Sequence, residues 1–91
     1  MTAAALLPLR VHVQDAWDEV ALEVPADMSV AALKDEALEH FRIRTPRDAY
    51  VVKFRGAEVL DESRTLEEAG IVANGALIVM PRRRRPVRRV P

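Results

Sequence analysis

Only one long stretch of this chain, Val30–Phe41, repeats its apolar residues at helical spacing. Val30, Leu33, Ala37, Leu38 and Phe41 fall on one stripe, with Lys34, Asp35, Glu36 and Glu39 mostly elsewhere. Ser29 stands where an N-cap is needed, since its hydroxyl can accept from a free N–H of the first turn. Pro46 lies safely beyond the far end. A lone amphipathic helix in a 91-residue chain has no helical partner for its stripe. It must lie across one face of a sheet, and the remaining segments must supply that sheet.

The other segments read as short strands. Leu9, Val11 and Val13 alternate with Arg10 and His12, a half-buried strand. Gln14–Glu19 is polar apart from Ala16 and Trp17 and reads as a hairpin loop. Val20, Leu22 and Val24 resume the alternation, and Pro25, which has no N–H for a ladder, ends it. Tyr50–Phe54 is a third strand, with Gly56 opening the turn after it. Thr65-Leu66-Glu67-Glu68 is a capping box that predicts a helix of about one turn, ending at Gly70. Asn74-Gly75 is a turn signal leading into Ala76–Met80, the last strand. The order strand, strand, helix, strand, short helix, strand predicts an α+β chain of β-grasp type over residues 1–81. Residues 82–91, rich in arginine with only two valines to bury, read as a tail disordered on its own.

Over about Leu9–Met80 the residues resemble ubiquitin. Leu22-Glu23-Val24 with Pro25, Asp27 and Ser29-Val30 is similar to that family's second strand and helix entry. Phe54-Arg55-Gly56 is similar to its Phe-Ala-Gly turn, and Leu60–Leu66 to its acidic turn and Arg-Thr-Leu cap. The resemblance places Lys34 at a largely buried position. It places Arg85 and Pro86 where the family has its terminal glycine pair. An activating enzyme must thread a slender end to reach the carboxylate, and neither residue suits that task. The family's apolar recognition patch falls on Asp15, Lys53 and Met80, of which only Met80 is apolar. In lacking the diglycine, the chain resembles the small bacterial ubiquitin-like proteins of the YukD-like group.

The formal charge is zero, yet it divides sharply along the chain. Six of the fourteen basic residues lie in the tail, so residues 1–81 hold eight basic against fourteen acidic side chains, a net of −6. With no cysteine there is no thiolate nucleophile, disulfide framework or Cys-based metal site. The longest apolar runs, Ala3–Leu7 and Ala76–Met80, are far short of the ~20 residues of a membrane span. The first residues lack a signal peptide's basic start, and a cytoplasmic location is expected. His12 and His40 have no third group converging on them by spacing. The carboxylate clusters Asp35/Glu36/Glu39, Asp61/Glu62 and Glu67/Glu68 read as solvated faces and turns. Neither a cofactor nor a metal is expected, and the chain reads as not an enzyme.

Trp17 either anchors an interface from its hairpin tip or folds back over the sheet edge. The tail suits docking on an acidic partner or on the chain's own acidic body, a solvated arm, or phosphate contacts. Without aromatics for base stacking, nonspecific nucleic-acid binding is less favoured than protein docking. The function expected is therefore a ubiquitin-like protein–protein interaction module without a diglycine, in a bacterial secretion or ubiquitin-like pathway. The contact residues expected are Trp17, Lys53, Met80, Arg82, Arg83, Arg84 and Arg85. A protein modifier attached through its atypical C-terminus is the alternative.

Overall fold

The computed structural model describes residues 6–82. Strands β1 (Leu6–Val13) and β2 (Asp18–Pro25) form a hairpin, followed by helix α1 (Val30–His40). Strands β3 (Tyr50–Phe54), β4 (Ala57–Glu58) and β5 (Gly75–Pro81) complete one five-stranded sheet ordered β2-β1-β5-β3-β4. β1 and β5 run parallel, and the other neighbours are antiparallel. This is the β-grasp arrangement expected from the element order.

Strand alternation and the helical stripe meet in one core. Leu9, Val11 and Val13 of β1, Val20 and Val24 of β2 and Leu77 and Val79 of β5 pack with Val30, Leu33, Ala37 and Leu38 of α1. Leu66 and Ile71 close the core from the long loop before β5. The Ser29 hydroxyl accepts from the Ala32 N–H at 3.0 Å, as its type and position require.

The loop is stitched to the helix entry. The Val30 and Ala31 N–H groups, which no helical turn can satisfy, donate to the Arg64 and Glu62 carbonyls at 2.9 Å each. In return the Leu66 and Glu67 N–H groups donate to Met28 and Ala26. Lys34, only 3% exposed, brings its Nζ to 2.6 Å from a Glu62 carboxylate oxygen and donates to the Tyr50 carbonyl at 3.1 Å. A buried ammonium persists only with such partners.

Besides shifts of one or two residues at the ends of β2 and β5, four elements differ from the sequence reading. β1 begins at Leu6, because the missing Pro8 N–H does not stop the strand and the Pro8 carbonyl accepts from the Asn74 N–H. The helix ends at His40, where Arg42 turns to φ 58° and the Ile43 N–H returns to the Leu38 carbonyl. The capping box forms, with Thr65 N–H to Glu68 Oε1 and Glu68 N–H to Thr65 Oγ1 both at 3.0 Å. It opens no helix, however, since Gly70 at φ 82° ends the turn after a single i to i+4 bond, Ala69 N–H to Thr65 O. Finally, β4 is an extra two-residue strand. Arg55 and Gly56 both take positive φ (54° and 80°), as a tight hairpin requires, and Arg55 lays its guanidinium over the Phe54 ring.

Candidate functional site

The residues that alternate with the core form the sheet's outer face, turned away from α1. β1 contributes Arg10 and His12, β2 Glu19, Ala21 and Glu23, β5 Ala76, Ile78 and Met80, and β3 Val51 and Lys53. The strand register lines them up in rows. Glu19, His12, Ile78, Lys53 and Glu58 succeed one another across all five strands. Arg10 sits between Ala21 and Ala76, and Val51 lies opposite Met80. The face thus has an apolar centre, basic Arg10 and Lys53 beside it, and carboxylates at both sheet edges.

Ile78 is 41% exposed at that centre, whereas Val51 is only 4% exposed on the same side. Val51 forms the floor of a shallow depression shared with Lys53, Glu58, Met80, Pro81 and Arg82. Three of the contact residues expected from the sequence, Lys53, Met80 and Arg82, therefore meet in one place. Trp17 stands apart, on the hairpin at the same end of the sheet as Met80, because Val13 pairs in parallel with Val79 and both strands leave there.

Trp17 does not fold back on the sheet edge, for it is 82% exposed. It follows a single 3₁₀ turn, Gln14–Ala16, and adopts φ 51° with its N–H bonded to the Gln14 carbonyl at 3.0 Å. A left-handed tryptophan is uncommon, since its Cβ crowds the next carbonyl. The loop is held from below by Ala16, packed on the core, and by the Tyr50 hydroxyl, which donates to Asp15 Oδ2 at 2.6 Å. Burial first, then that bond to the carboxylate, push the Tyr50 phenol above its ordinary range. Asp15, which the resemblance put in a recognition patch, serves the loop's own anchorage.

Arg82 was expected to begin a free tail, but it is fastened to the body. Its N–H donates to the Ala49 carbonyl at 2.6 Å, its Nε to the Asp48 carbonyl at 3.1 Å, and its guanidinium lies 4.0 Å from Glu58. Arg83, Arg84 and Arg85, and the remainder of the tail, lie outside the described residues. So does Pro86, the other position that the resemblance matches to the diglycine.

Sequence reasoning named Lys53 and Met80 on this face but missed Ile78 and Val51. The signal was present: Ala76–Met80 and Tyr50–Val52 are unbroken apolar runs, which mark strands apolar on both faces. His40 is exposed at the helix end, its ring edge-on to Phe41, and His12 is half-buried between Glu19 and Ile78. Among the described residues no three His, Asp or Glu converge as metal ligands, and no helix is long and apolar enough to cross a membrane.

A family model described as WXG100 protein secretion system (Wss), protein YukD, matches residues 8–80. No curated protein sequence matches the chain. Among solved structures, the chain is similar to the ubiquitin-like domain of an Arabidopsis thaliana protein at 25% identity and TM-score 0.71, covering 89% of this chain and 82% of that one. It is similar to a Caldiarchaeum subterraneum ubiquitin at 16% identity and TM-score 0.73, with 87% and 96% covered. It is similar to the ubiquitin-like domain of tubulin-binding cofactor B at 15% identity and TM-score 0.75, with 87% and 92% covered. The fold is therefore ubiquitin-like, and with most of its length matched the chain belongs to the YukD family of the WXG100 protein secretion system.

Proposed function

We propose that this chain acts by binding rather than by catalysis, as a non-conjugated ubiquitin-like module of a WXG100-type secretion pathway. Its partner is another protein, met by the outer sheet face and the Trp17 hairpin, with the arginines from Arg82 onward as a basic arm. One observation carries this reading: Trp17, 82% exposed, stands at the end of a face whose centre is the exposed Ile78 beside Met80. A large rigid aromatic buries much area on binding and loses few rotamers, which is why such residues dominate interface energetics. The basic pair Arg10 and Lys53 within acidic edges supplies register against the wrong partner.

The test is affinity capture with the full chain as bait, beside Trp17→Ala and Ile78→Asp. A partner held by the parent chain should be lost from both variants. Equal recovery on all three baits overturns the assignment.

A further inference from the structure

Among the described residues the exposed Trp17 is left without a partner in the fold, and the topology puts it at the end of the sheet where Arg82 leads into the arginine tail. We propose that the Trp17 hairpin is the docking site of the chain's own arginine tail, residues 83–91, by guanidinium stacking on the indole with pairing to Asp18 and Glu19.

Chemistry, charge and reach each support this occupant. The indole face attracts a guanidinium through its quadrupole, more strongly than any other side chain does. Asp18 and Glu19 flank it, both exposed, and neither holds an ion pair among the described residues. In the nearer acidic groove, beside Arg82, every carboxylate but that of Asp48 is already paired with a cation. There Glu62 holds Lys34, Asp35 holds Arg47 and Glu58 faces Arg82 itself. The tail carries five further arginines, at 83, 84, 85, 88 and 89, against a body of net negative charge.

Distance is no obstacle. Arg82 is fixed against the start of β3, and the hairpin caps β1 and β2, two and three strand positions away in the sheet order. Three strand spacings amount to about 14 Å. The nine residues after Arg82 span up to roughly 30 Å. Because β5 lies between β3 and β1 in the sheet, a tail running from Arg82 toward the indole passes the end of β5, beside Met80. Docked there, it covers one edge of the surface proposed above to receive a partner, and a partner must displace it. This last consequence rests on the proposed function, whereas the docking itself does not.

Trp17 is the chain's single tryptophan, so its fluorescence reports on the site without labelling. The full chain is compared with a full-length variant carrying Gln at 83, 84, 85, 88 and 89, and with Asp18→Asn/Glu19→Gln. At low salt, acrylamide should quench the parent about half as efficiently as either variant, and salt of about 1 M should erase the difference by screening. Equal quenching of parent and Gln-tail variant at low salt overturns the proposal. Protection that grows with protein concentration also overturns it, by assigning the tail to a second copy. No partner enters this measurement, so its failure leaves the partner assignment standing, and failure of the capture experiment leaves the docking standing.

Discussion

Two exposed acidic loops of this molecule handle their polar groups in opposite ways. In Asp61–Glu68 the side chains turn inward on their own backbone and on α1. Asp61 takes bonds from Ser63, Glu62 holds Lys34, and Glu68 closes the cap with Thr65. In the hairpin after β1, Asp15 and Ala16 reach the body, while Trp17, Asp18 and Glu19 face solvent. The first loop closes the helix entry, so its residues are committed to stability. The second is held in one left-handed conformation yet spends almost nothing on the core, which is the profile of a presented surface.

Breaking the first loop should cost most. Lys34→Ala removes the ammonium that pairs with Glu62 and satisfies the Tyr50 carbonyl, and urea unfolding should show a loss of about 3–5 kcal/mol. Lys34→Met combined with Glu62→Gln should recover much of it, because no charge is then left unpaired. A loss below about 1 kcal/mol would put the clasp on backbone bonds alone.

Releasing the second loop should cost less. Asp15→Asn weakens a charge-assisted bond to the Tyr50 hydroxyl and should lose about 1–2 kcal/mol. Because the Tyr50 phenol titrates above its ordinary value when folded, the stability it lends is full below pH ~10 and is lost as pH rises through the folded value. Tyr50 is the only tyrosine, so an ultraviolet titration reads it directly. Asp15→Asn should bring its midpoint down only in part, since burial is the larger cause. An unchanged midpoint would detach the hairpin from Tyr50.

Trp17 should matter least to folding. Trp17→Ala is expected to alter stability by less than about 0.5 kcal/mol, because the side chain buries little. Trp17→Gly, which accepts φ 51° without strain, should stabilise by up to about 1 kcal/mol in the same unfolding assay. A stabilised glycine variant that no longer holds its partner would sharpen the contrast, for the residue would then be retained against folding. A destabilised one would place the indole in the fold's own service.

The elements that the sequence made legible are those whose signal is local. Ser29, the paired bonds of the Thr65/Glu68 box and the alternation in β1 and β2 are each legible within a few residues, and each forms, although the box opens a turn rather than the helix expected of it. β4 was not legible because an arginine stands in a left-handed turn position where glycine or asparagine would have announced a hairpin. The candidate site was half legible. Residue type singled out Trp17, but only the fold shows that its hairpin projects from the body. Ile78 and Val51 were hidden inside apolar runs that carry no period-two signal.

By itself, then, the sequence determined the fold type, since a single capped amphipathic helix among short alternating segments has one economical way to bury its stripe. It also determined the split between an acidic body and an arginine tail, which is a matter of composition alone. Tertiary structure decided which groups that chemistry can bring together. The parallel pairing of β1 with β5 joins residues 66 positions apart, as Leu9 with Gly75 and Val13 with Val79, and sets Trp17, Met80 and Arg82 at one end of the sheet. Such neighbours are fixed by register between distant strands, and no local pattern in the chain encodes them.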